Sequence, residues 1–124
     1  MGHSVILPQD EAAPFIGPNG IDPGGIAEQC YQQVVKCDVM IVVLDGADSD
    51  SGTSLEAGIK VGHNRATEQR SKIVGVRTDF RASEDGQLNA MFRLLDEVIL
   101  FPSVNEDIVA LCARLNDAIR RVCE

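Results

Sequence analysis

The chain alternates short apolar runs with segments in which apolar residues recur at helical spacing. Residues 39–44 and 72–77 are almost continuously apolar and rich in β-branched side chains, which predicts strands that are buried on both faces of a sheet. Residues 4–7 and 97–101 predict two further short strands. Because segments of helical pattern separate these runs, the strands are expected to lie parallel in one sheet.

Four helices are predicted around these strands. Asp22 and Pro23 form an N-cap and first-turn pair, so a helix is expected to run to about residue 35. Its apolar face should bury Ile26, Cys30 and Val34. Further helices are expected at about residues 53–63 and 87–95, and a last one should start at the capping box Ser103-x-x-Glu106 and pack one face on the sheet.

Residues 8–25 are predicted to form a loop, because prolines and glycines interrupt any regular element there. A loop of that length in a compact domain is typical of a functional segment. The whole pattern predicts an α/β fold with a parallel sheet flanked by helices, of flavodoxin-like or Rossmann-like type. The chain of 124 residues is expected to form a single domain over residues 1–124.

Composition and charge restrict the partners of this domain. The formal net charge of −8 argues against a nucleic-acid partner, because a phosphate backbone needs a positive surface. No apolar run approaches the roughly 20 residues that span a bilayer, and the N-terminus lacks a basic region followed by an apolar one. The sequence therefore predicts a soluble cytoplasmic protein that does not bind a membrane.

The cysteines and histidines do not indicate a metal site. The four cysteines, at positions 30, 37, 112 and 123, form no Cys-x-x-Cys pair and have no metal-ligand spacing to His3 or His63. We expect the thiols to be reduced and to behave as small apolar side chains. His63, near the end of a predicted helix, is expected to act as a partner of the helix dipole. No metal ion and no cofactor are predicted.

The segment from Asp50 to Gly58 places two carboxylates, Asp50 and Glu56, across a turn that opens a helix. It follows the strand at 39–44, and the loops at the carboxyl ends of strands line the ligand crevice in open α/β sheets. Glu56 would lie in the first turn of the helix, where the dipole favours the ionised carboxylate by ~0.3–1 kcal/mol. The alternative is structural, because Thr53-x-x-Glu56 is also a capping box in which Glu56 bonds back to the Thr53 amide.

The motifs around this turn resemble the nucleoside 2-deoxyribosyltransferase family. The resemblance rests on the order of the motifs and covers about residues 5–102. Val5 to Asp10 resembles the second strand of the family. The motifs that follow are Cys37-Asp38 to Leu44-Asp45, then Asp50-x-Gly52-Thr53-x-x-Glu56-x-Gly58, then Lys72 to Arg77 with Asp79-Phe80-Arg81, and finally Asn89-x-Met91.

The resemblance implies an enzyme of nucleotide salvage that acts on small-molecule nucleosides and free bases. It would cleave the N-glycosidic bond of a 2-deoxyribonucleoside through a glycosyl ester on Glu56 and transfer the sugar to another base. Two alternatives remain open. One is an N-glycoside hydrolase of the same fold, with phosphate contacts from residues 51–54. The other is a non-catalytic nucleotide-binding module.

The resemblance also implies roles for further residues. Asp50, with Gly52 and Thr53, would bind the sugar or the base, whereas its structural alternative is an Asx turn before the helix. Asp45 is either a polar contact at the end of the strand or a turn residue, and the turn is favoured. Asn89 would bind the sugar in the site of a neighbouring subunit, or it is a surface residue. Asp79 and Arg81 are expected to form a structural ion pair.

The chain departs from the family pattern in two places. Members begin with a strand and a helix for which this chain has no matching residues, and that strand would lie between the strands at 4–7 and 39–44. The chain is then a truncated product, or the strand at 4–7 moves into the central position, or a partner chain supplies the edge. We therefore expect a homodimer or higher homo-oligomer, with residues 87–95 near the interface. Secondly, Cys30 stands where the family commonly has an acid or an amide near the base.

Overall fold

The computed structural model describes residues 3–46, 49–79, 88–101 and 107–124. A short helix α1 (Pro8–Glu11) and a 3₁₀ turn (Ala13–Phe15) precede a hairpin of β1 (Ile16–Gly17) and β2 (Gly20–Ile21). The α/β part follows as α2 (Pro23–Lys36), β3 (Val39–Val43), α3 (Ser51–Thr67), β4 (Lys72–Arg77), a 3₁₀ helix (Ala90–Leu94), β5 (Glu97–Leu100) and α4 (Ile108–Cys123).

The main sheet contains three parallel strands in the order β3-β4-β5. On one face, α4 packs against a core that includes Val74, Val76 and Phe101. On the other face, α3 packs against a core that includes Val42 and Leu44, and α2 packs along α3. The predicted α/β fold, with a parallel sheet flanked by helices, is therefore confirmed.

The N-terminal segment differs from its prediction. Residues 4–7 form no strand, so the expected strand there is wrong and does not move into the centre of the sheet. Val5 is 76% exposed, and Ile6 and Leu7 are exposed as well. An apolar run becomes a strand only where a neighbour supplies hydrogen bonds, and these residues have no such neighbour among the described ones. The predicted loop at 8–25 is also wrong in part, because α1, the 3₁₀ turn and the hairpin lie within it.

The helices confirm the predicted order, but several predicted boundaries shift. The helix expected at about residues 53–63 is α3, which spans Ser51–Thr67. The carboxylate of Asp22 accepts a hydrogen bond from the Gly25 amide, so α2 begins where the sequence predicts. The last helix begins at Ile108 with Asp107 as its N-cap, so the start predicted at the Ser103 capping box is wrong, and Ser103 and Glu106 lie outside the described residues. Between β4 and β5, the expected helix is a 3₁₀ helix of five residues that is capped by Asn89.

Two leucine side chains lie close to the backbone of the central strand β4 at Gly75. A Cβ at this position would lie 2.8 Å from a methyl carbon of Leu44 and 2.9 Å from one of Leu95. These two leucines flank β4 from the end of β3 and from the turn before β5. A side chain at this position would require both leucine side chains to shift, which favours glycine here.

One edge of β3 is open. The Leu44 amide donates to the Val76 carbonyl, and the Lys72 amide donates to the Asp38 carbonyl, so the even-numbered residues pair with β4. Since backbone groups alternate in direction along a strand, Val39, Ile41 and Val43 direct their amides and carbonyls away from β4. Among the described residues, β3 pairs with β4 alone. Ile41 and Val43 are 45% and 57% exposed.

A buried lysine joins α3 to α2. Lys60, on α3, is 0% exposed, and its ammonium donates to the carbonyl of Val35 at 3.2 Å and to the carbonyl of Cys37 at 2.8 Å. These carbonyls lie at the C-terminal end of α2, where the helix dipole favours a cation. The bonds fix how α3 lies along α2. Within the described ranges, no helix has the length and apolar character needed to cross a membrane.

Candidate functional site

The N-terminus of α3 is held by Asp50. Its Oδ1 accepts hydrogen bonds from the amides of Gly52 at 3.0 Å and Thr53 at 3.2 Å, so Asp50 is the N-cap of the helix. A Cβ at Gly52 would lie 3.1 Å from the same oxygen, which explains the small residue at this position. The Asx turn expected for Asp50 is present, and its Oδ2 makes no hydrogen bond to another described residue. Asp50 is exposed at the mouth of the turn.

Glu56 does not cap the helix. The Thr53 amide, which the capping-box alternative assigns to Glu56, is bonded to Asp50 instead. That alternative is therefore wrong, and so is the expected position of Glu56 in the first turn, because the helix begins at Ser51 and Glu56 lies beyond its first turn. The Glu56 side chain is half-buried, and the Cys30 thiol of α2 lies near enough to influence its pKa.

The surroundings of Glu56 make its ionisation harder. Burial is the largest cause that raises the pKa of the Glu56 carboxyl, the negative charge of Asp50 raises it further, and the nearby Cys30 thiol lowers it in part. The net direction is upward from the ordinary value of a glutamate. Asp50, Glu56 and Cys30 thus form one cluster, which we call the α2–α3 cluster.

Asp45 ties the end of β3 to the end of β4. Its Oδ1 accepts from the amides of Thr78 at 2.6 Å and Asp79 at 3.0 Å, and its Oδ2 accepts from the Thr78 hydroxyl at 2.6 Å. Partial burial raises the pKa of Asp45, but the hydrogen bonds from Thr78 and Asp79 outweigh it, and the pKa is lowered overall. Both carboxylate oxygens therefore already have protein partners.

The turn after Asp45 is held by hydrogen bonds between the end of β3 and the end of β4. Gly46 has a φ of 103°, a left-handed conformation that favours glycine, as the turn interpretation of this segment expects. Its amide donates to Oδ2 of Asp79 at 3.1 Å, and its carbonyl accepts from Nη2 of the buried Arg77 at 3.2 Å. Arg81, the expected ion-pair partner of Asp79, lies outside the described residues. The turn at 45–46 and the residues 77–79 form a second group, which we call the strand-end cluster.

Asn89 is the N-cap of the 3₁₀ helix, where its Oδ1 accepts from the Met91 amide at 3.0 Å. The residue is exposed, and Met91 beside it is 66% exposed. Its Nδ2 makes no hydrogen bond to another described residue. The structure thus gives Asn89 a local structural role and leaves its amide group at the surface.

The site residues predicted from the sequence fall into three places. Asp50, Gly52, Thr53 and Glu56 share the start of α3, Asp45 belongs to the strand-end cluster, and Asn89 follows β4. Sequence reasoning missed Thr78 and Lys60. A signal for Lys60 was present, because it lies three positions after Ala57 on the face of α3 that packs inward.

A cleft of about 890 Å³ opens at the opposite edge of the sheet, at the amino ends of β3 and β4. Charged side chains of both signs line it, among them Lys36, Asp38, Arg70 and Lys72, and His63 lies there too. Neither Glu56 nor Asp50 lines this cleft. The described part of the chain holds no group of three or more His, Cys, Asp or Glu residues that could bind a metal ion.

Comparison with known proteins gives one family. The model of the family described as nucleoside 2-deoxyribosyltransferase matches residues 1–92, which include α2, the α2–α3 cluster, the strand-end cluster and Asn89. No curated protein matches the chain.

Proposed function

Because the chain belongs to the nucleoside 2-deoxyribosyltransferase family, we propose that it cleaves the N-glycosidic bond of a 2-deoxyribonucleoside and transfers the sugar to a second free base. At the level of the family, the function is that of a nucleoside 2-deoxyribosyltransferase-like glycosyltransferase with small nucleosides as substrates. The nucleophile, the order of the steps and the choice of sugar are the finer parts of the proposal.

The observation that carries the proposal is that the Glu56 carboxylate has no capping role. A helix N-terminus offers amides to a carboxylate, yet the amides of Gly52 and Thr53 are bonded to Asp50 and not to Glu56. A half-buried carboxylate whose ionisation is disfavoured by its surroundings is typical of a functional group. This supports Glu56 as the nucleophile.

The proposed reaction has two steps. In the first, a carboxylate oxygen of Glu56 bonds to the anomeric carbon, and the C–N bond breaks with its electron pair leaving on the base, which takes up a proton. In the second, a nitrogen of the incoming base bonds to the same carbon, loses a proton and releases the Glu56 carboxylate. The negative charge of Glu56, and of Asp50 beside it, favours the oxocarbenium-like centre in both steps.

The other site residues receive supporting roles in this proposal. Asp50 can bind a sugar hydroxyl or the base through Oδ2, because Oδ1 alone holds the helix amides. We assign Asp45 to the positioning of the loop, since three hydrogen bonds already occupy its carboxylate. Asn89 can donate through its exposed amide to the sugar in a neighbouring subunit.

The proposal includes a homo-oligomer. The open edge of β3 and the exposed Met91 and Leu94 of the 3₁₀ helix are two surfaces that favour association between copies of the chain. Val39, Ile41 and Val43 have no strand partner on this edge among the described residues, and none of the three carries a charge that would prevent pairing. An isologous contact through such an edge gives a dimer with two-fold symmetry.

The test of the proposal is a base-exchange assay with deoxyadenosine and a free pyrimidine base, in which chromatography separates the new nucleoside from free adenine. Glu56→Gln should abolish both products. Glu28→Gln, the same change at an exposed carboxylate of α2, should leave the rate unchanged. Acid quenching followed by trypsin should also show peptide 37–60, which contains Glu56, with one added deoxyribosyl group.

The possible outcomes separate the competing functions. Release of adenine without a new nucleoside would indicate an N-glycoside hydrolase, and binding without turnover would indicate a nucleotide-binding module. Full activity in a folded Glu56→Gln protein would exclude Glu56 as the nucleophile. The Glu56→Gln protein is expected to fold, because removing a carboxylate whose pKa is raised by burial should keep or increase the stability at neutral pH. A loss of activity in this variant would therefore not come from unfolding.

A further inference from the structure

An extended apolar segment at residues 4–7 lies uncovered at the surface. Val5, Ile6 and Leu7 are 76%, 53% and 53% exposed. The segment belongs to no helix or strand, and it ends at Leu7, the N-cap of α1, whose backbone is extended with a φ of −105° and a ψ of 120°. The segment therefore has the conformation of a strand but no neighbouring strand among the described residues.

The outer edge of β3 is a second uncovered apolar surface. Ile41 and Val43 are in register with Val74 and Val76, whose side chains lie in the core beneath α4. Residues in register across a parallel sheet point to the same face, so Ile41 and Val43 belong to the face that α4 covers. However, α4 packs on β4 and β5, and these two side chains remain 45% and 57% exposed.

We propose that the segment 4–7 of one copy pairs as a strand with the outer edge of β3 in a second copy, and that the second copy returns the same contact. This inference rests on the proposed function for the association of copies, but not for the chemistry of the site. Reciprocal exchange of an element gives a closed dimer with two-fold symmetry. In each half of this dimer, a fourth strand lies beside β3.

The backbone groups of the two surfaces are complementary. The odd-numbered residues of β3 direct their amides and carbonyls to the outer edge, because the even-numbered ones face β4. An extended segment that joins such an edge gains affinity from main-chain hydrogen bonds. Pro8 has no amide hydrogen, so it ends the added strand after Leu7. Residues 4–7 are thus long enough to cover most of the five residues of β3.

The side chains of the segment fit a strand that is covered on both faces. Side chains alternate along a strand, so Val5 and Leu7 would point to one face and Ile6 to the other. On the α4 face, the added strand would lie beside Ile41 and Val43. On the opposite face, α2 lies beside α3 and leads directly into β3. Packed helices lie about 8–10 Å apart and strands about 4.8 Å apart, so α2 is placed to cover the position next to β3.

The charge of the chain favours this contact between copies. A formal net charge of −8 makes two copies repel each other. Residues 4–7 and 39–43 contain no charged side chain, so the copies can approach there without bringing like charges together. Direct pairing of β3 with β3 of a second copy would leave the segment 4–7 uncovered in both. Exchange covers both apolar surfaces with one kind of contact, which is why we assign the β3 edge to the segment 4–7.

The first test compares Ile6→Lys with Ile16→Lys by sedimentation equilibrium. Ile16 is the matched control, because it is 58% exposed and lies in the hairpin, outside the proposed contact. Ile6→Lys places an ammonium group in an apolar contact and should raise the dissociation constant of the dimer at least about 10-fold. Ile16→Lys should leave it unchanged. Both side chains are exposed within one copy, so both variants should fold, and circular dichroism checks this.

Either of two results of this test would overturn the proposal. One is a dissociation constant for Ile6→Lys equal to that of the unchanged protein. The other is an unchanged protein that is monomeric at every concentration measured.

A mixture of Ile6→Lys and Ile41→Lys gives a result that is specific to exchange. A mixed dimer has one contact in which both segments are unchanged and one in which both carry a lysine. Dimers of either variant alone have two altered contacts. Light scattering should therefore show tighter association in the mixture than in either variant alone. A mixture that associates no more tightly than its components would exclude reciprocal exchange.

Hydrogen exchange followed by mass spectrometry identifies the paired segments. As the protein concentration rises through the dissociation constant, amide exchange should become slower at residues 4–7 and at residues 39–43 together. Slower exchange at 39–43 alone would mean that two β3 strands pair directly, which overturns the proposal. Equal protection of both segments at every dilution would mean that they pair within one copy, which also overturns it.

These measurements do not use enzymatic activity, so they separate the two proposals. If the mass and hydrogen-exchange results agree with strand exchange but the unchanged protein has no base-exchange activity, the contact is real and the proposed chemistry is wrong. If base-exchange activity depends on Glu56 but Ile6→Lys alters neither mass nor hydrogen exchange, the proposed chemistry stands and strand exchange is refuted.

Discussion

The ammonium nitrogen of Lys60 lies 2.8 Å from the carbonyl oxygen of Cys37, inside the interface of α2 and α3. A second bond, to Val35, occupies the same ammonium group. A lysine with 0% exposure costs free energy unless its donors are satisfied, and here two carbonyls at the negative end of a helix accept from two of its three N–H groups. Lys60 thus fixes α3, and with it Glu56, relative to Cys30.

We expect Lys60→Met to lower the free energy of unfolding. Methionine keeps much of the volume but leaves the carbonyls of Val35 and Cys37 without a donor, at about 1–3 kcal/mol for each buried group left unsatisfied. Urea unfolding followed by circular dichroism measures the change. Lys36→Met, at an exposed position of α2, should change the stability by less than about 0.5 kcal/mol. Equal stabilities of the two variants would contradict the anchoring role of Lys60.

Asp45→Asn should destabilise the protein at neutral pH, and the difference should shrink in acid. The pKa of Asp45 is lowered in the folded state, so the ionised carboxylate contributes stability that is fully present above the unfolded value near 3.8. That contribution is lost as the pH falls through the lower folded pKa. Thermal unfolding of both proteins from pH 7 to pH 3 tests this. A difference that stays constant over the range would show that ionisation of Asp45 is irrelevant to stability.

Deoxyadenosine should react faster than adenosine. The 2-hydroxyl group withdraws electrons and makes the oxocarbenium-like centre harder to form. We expect a ratio of kcat/KM above about 10, equivalent to about 1.4 kcal/mol in the barrier. Chromatographic rates of base release at equal enzyme concentration give the ratio. Equal rates for the two nucleosides would favour a general nucleoside hydrolase.

Ile41→Lys should reduce self-association. A lysine at the open edge of β3 places a charge where a strand of a second copy would pair. Light scattering at micromolar concentration should show an oligomer for the unchanged protein and a smaller species for the variant. Leu100→Lys, at a matched exposed position on β5, is the control and should not alter the mass. A monomeric and fully active unchanged protein would remove both the edge-pairing argument and the shared-site role of Asn89.

Much of the fold follows from local sequence patterns. The apolar runs of β3, β4 and β5 and the Asp22-Pro23 start of α2 were predicted correctly, because strand burial and helix capping depend on adjacent residues. The prediction of a strand at 4–7 was wrong, because a strand needs a neighbouring strand for its backbone hydrogen bonds and the local sequence pattern does not show whether one is present. The predicted start of α4 was wrong because two local signals for a helix start follow one another. The capping box from Ser103 to Glu106 is the first, and Asp107, the observed N-cap, is the second.

In the candidate site, too, the features set by adjacent residues were predicted and those set by tertiary packing were not. The acidic turn before α3 was predicted from motif order, and the catalytic role of Glu56 stays a prediction. The sequence did not predict which of the two carboxylates caps the helix, because Asp50 and Glu56 both carry oxygen atoms that can accept hydrogen bonds from the helix amides. The proximity of Cys30 to Glu56 and the three hydrogen bonds of Asp45 to residues 78 and 79 depend on how helices and strands pack, which spacing along the chain does not encode.

Glycines of this chain differ sharply in the substitutions that they tolerate. Gly75 lies between the ends of the Leu44 and Leu95 side chains, so even one methyl group would require both of these packed side chains to move. Gly58 and Gly62, on α3, have open space where a Cβ would stand, and alanine there would favour the helix by about 0.5–1 kcal/mol each. Directed evolution of this protein for heat resistance would therefore accept alanine in α3 and reject it in the middle of the sheet.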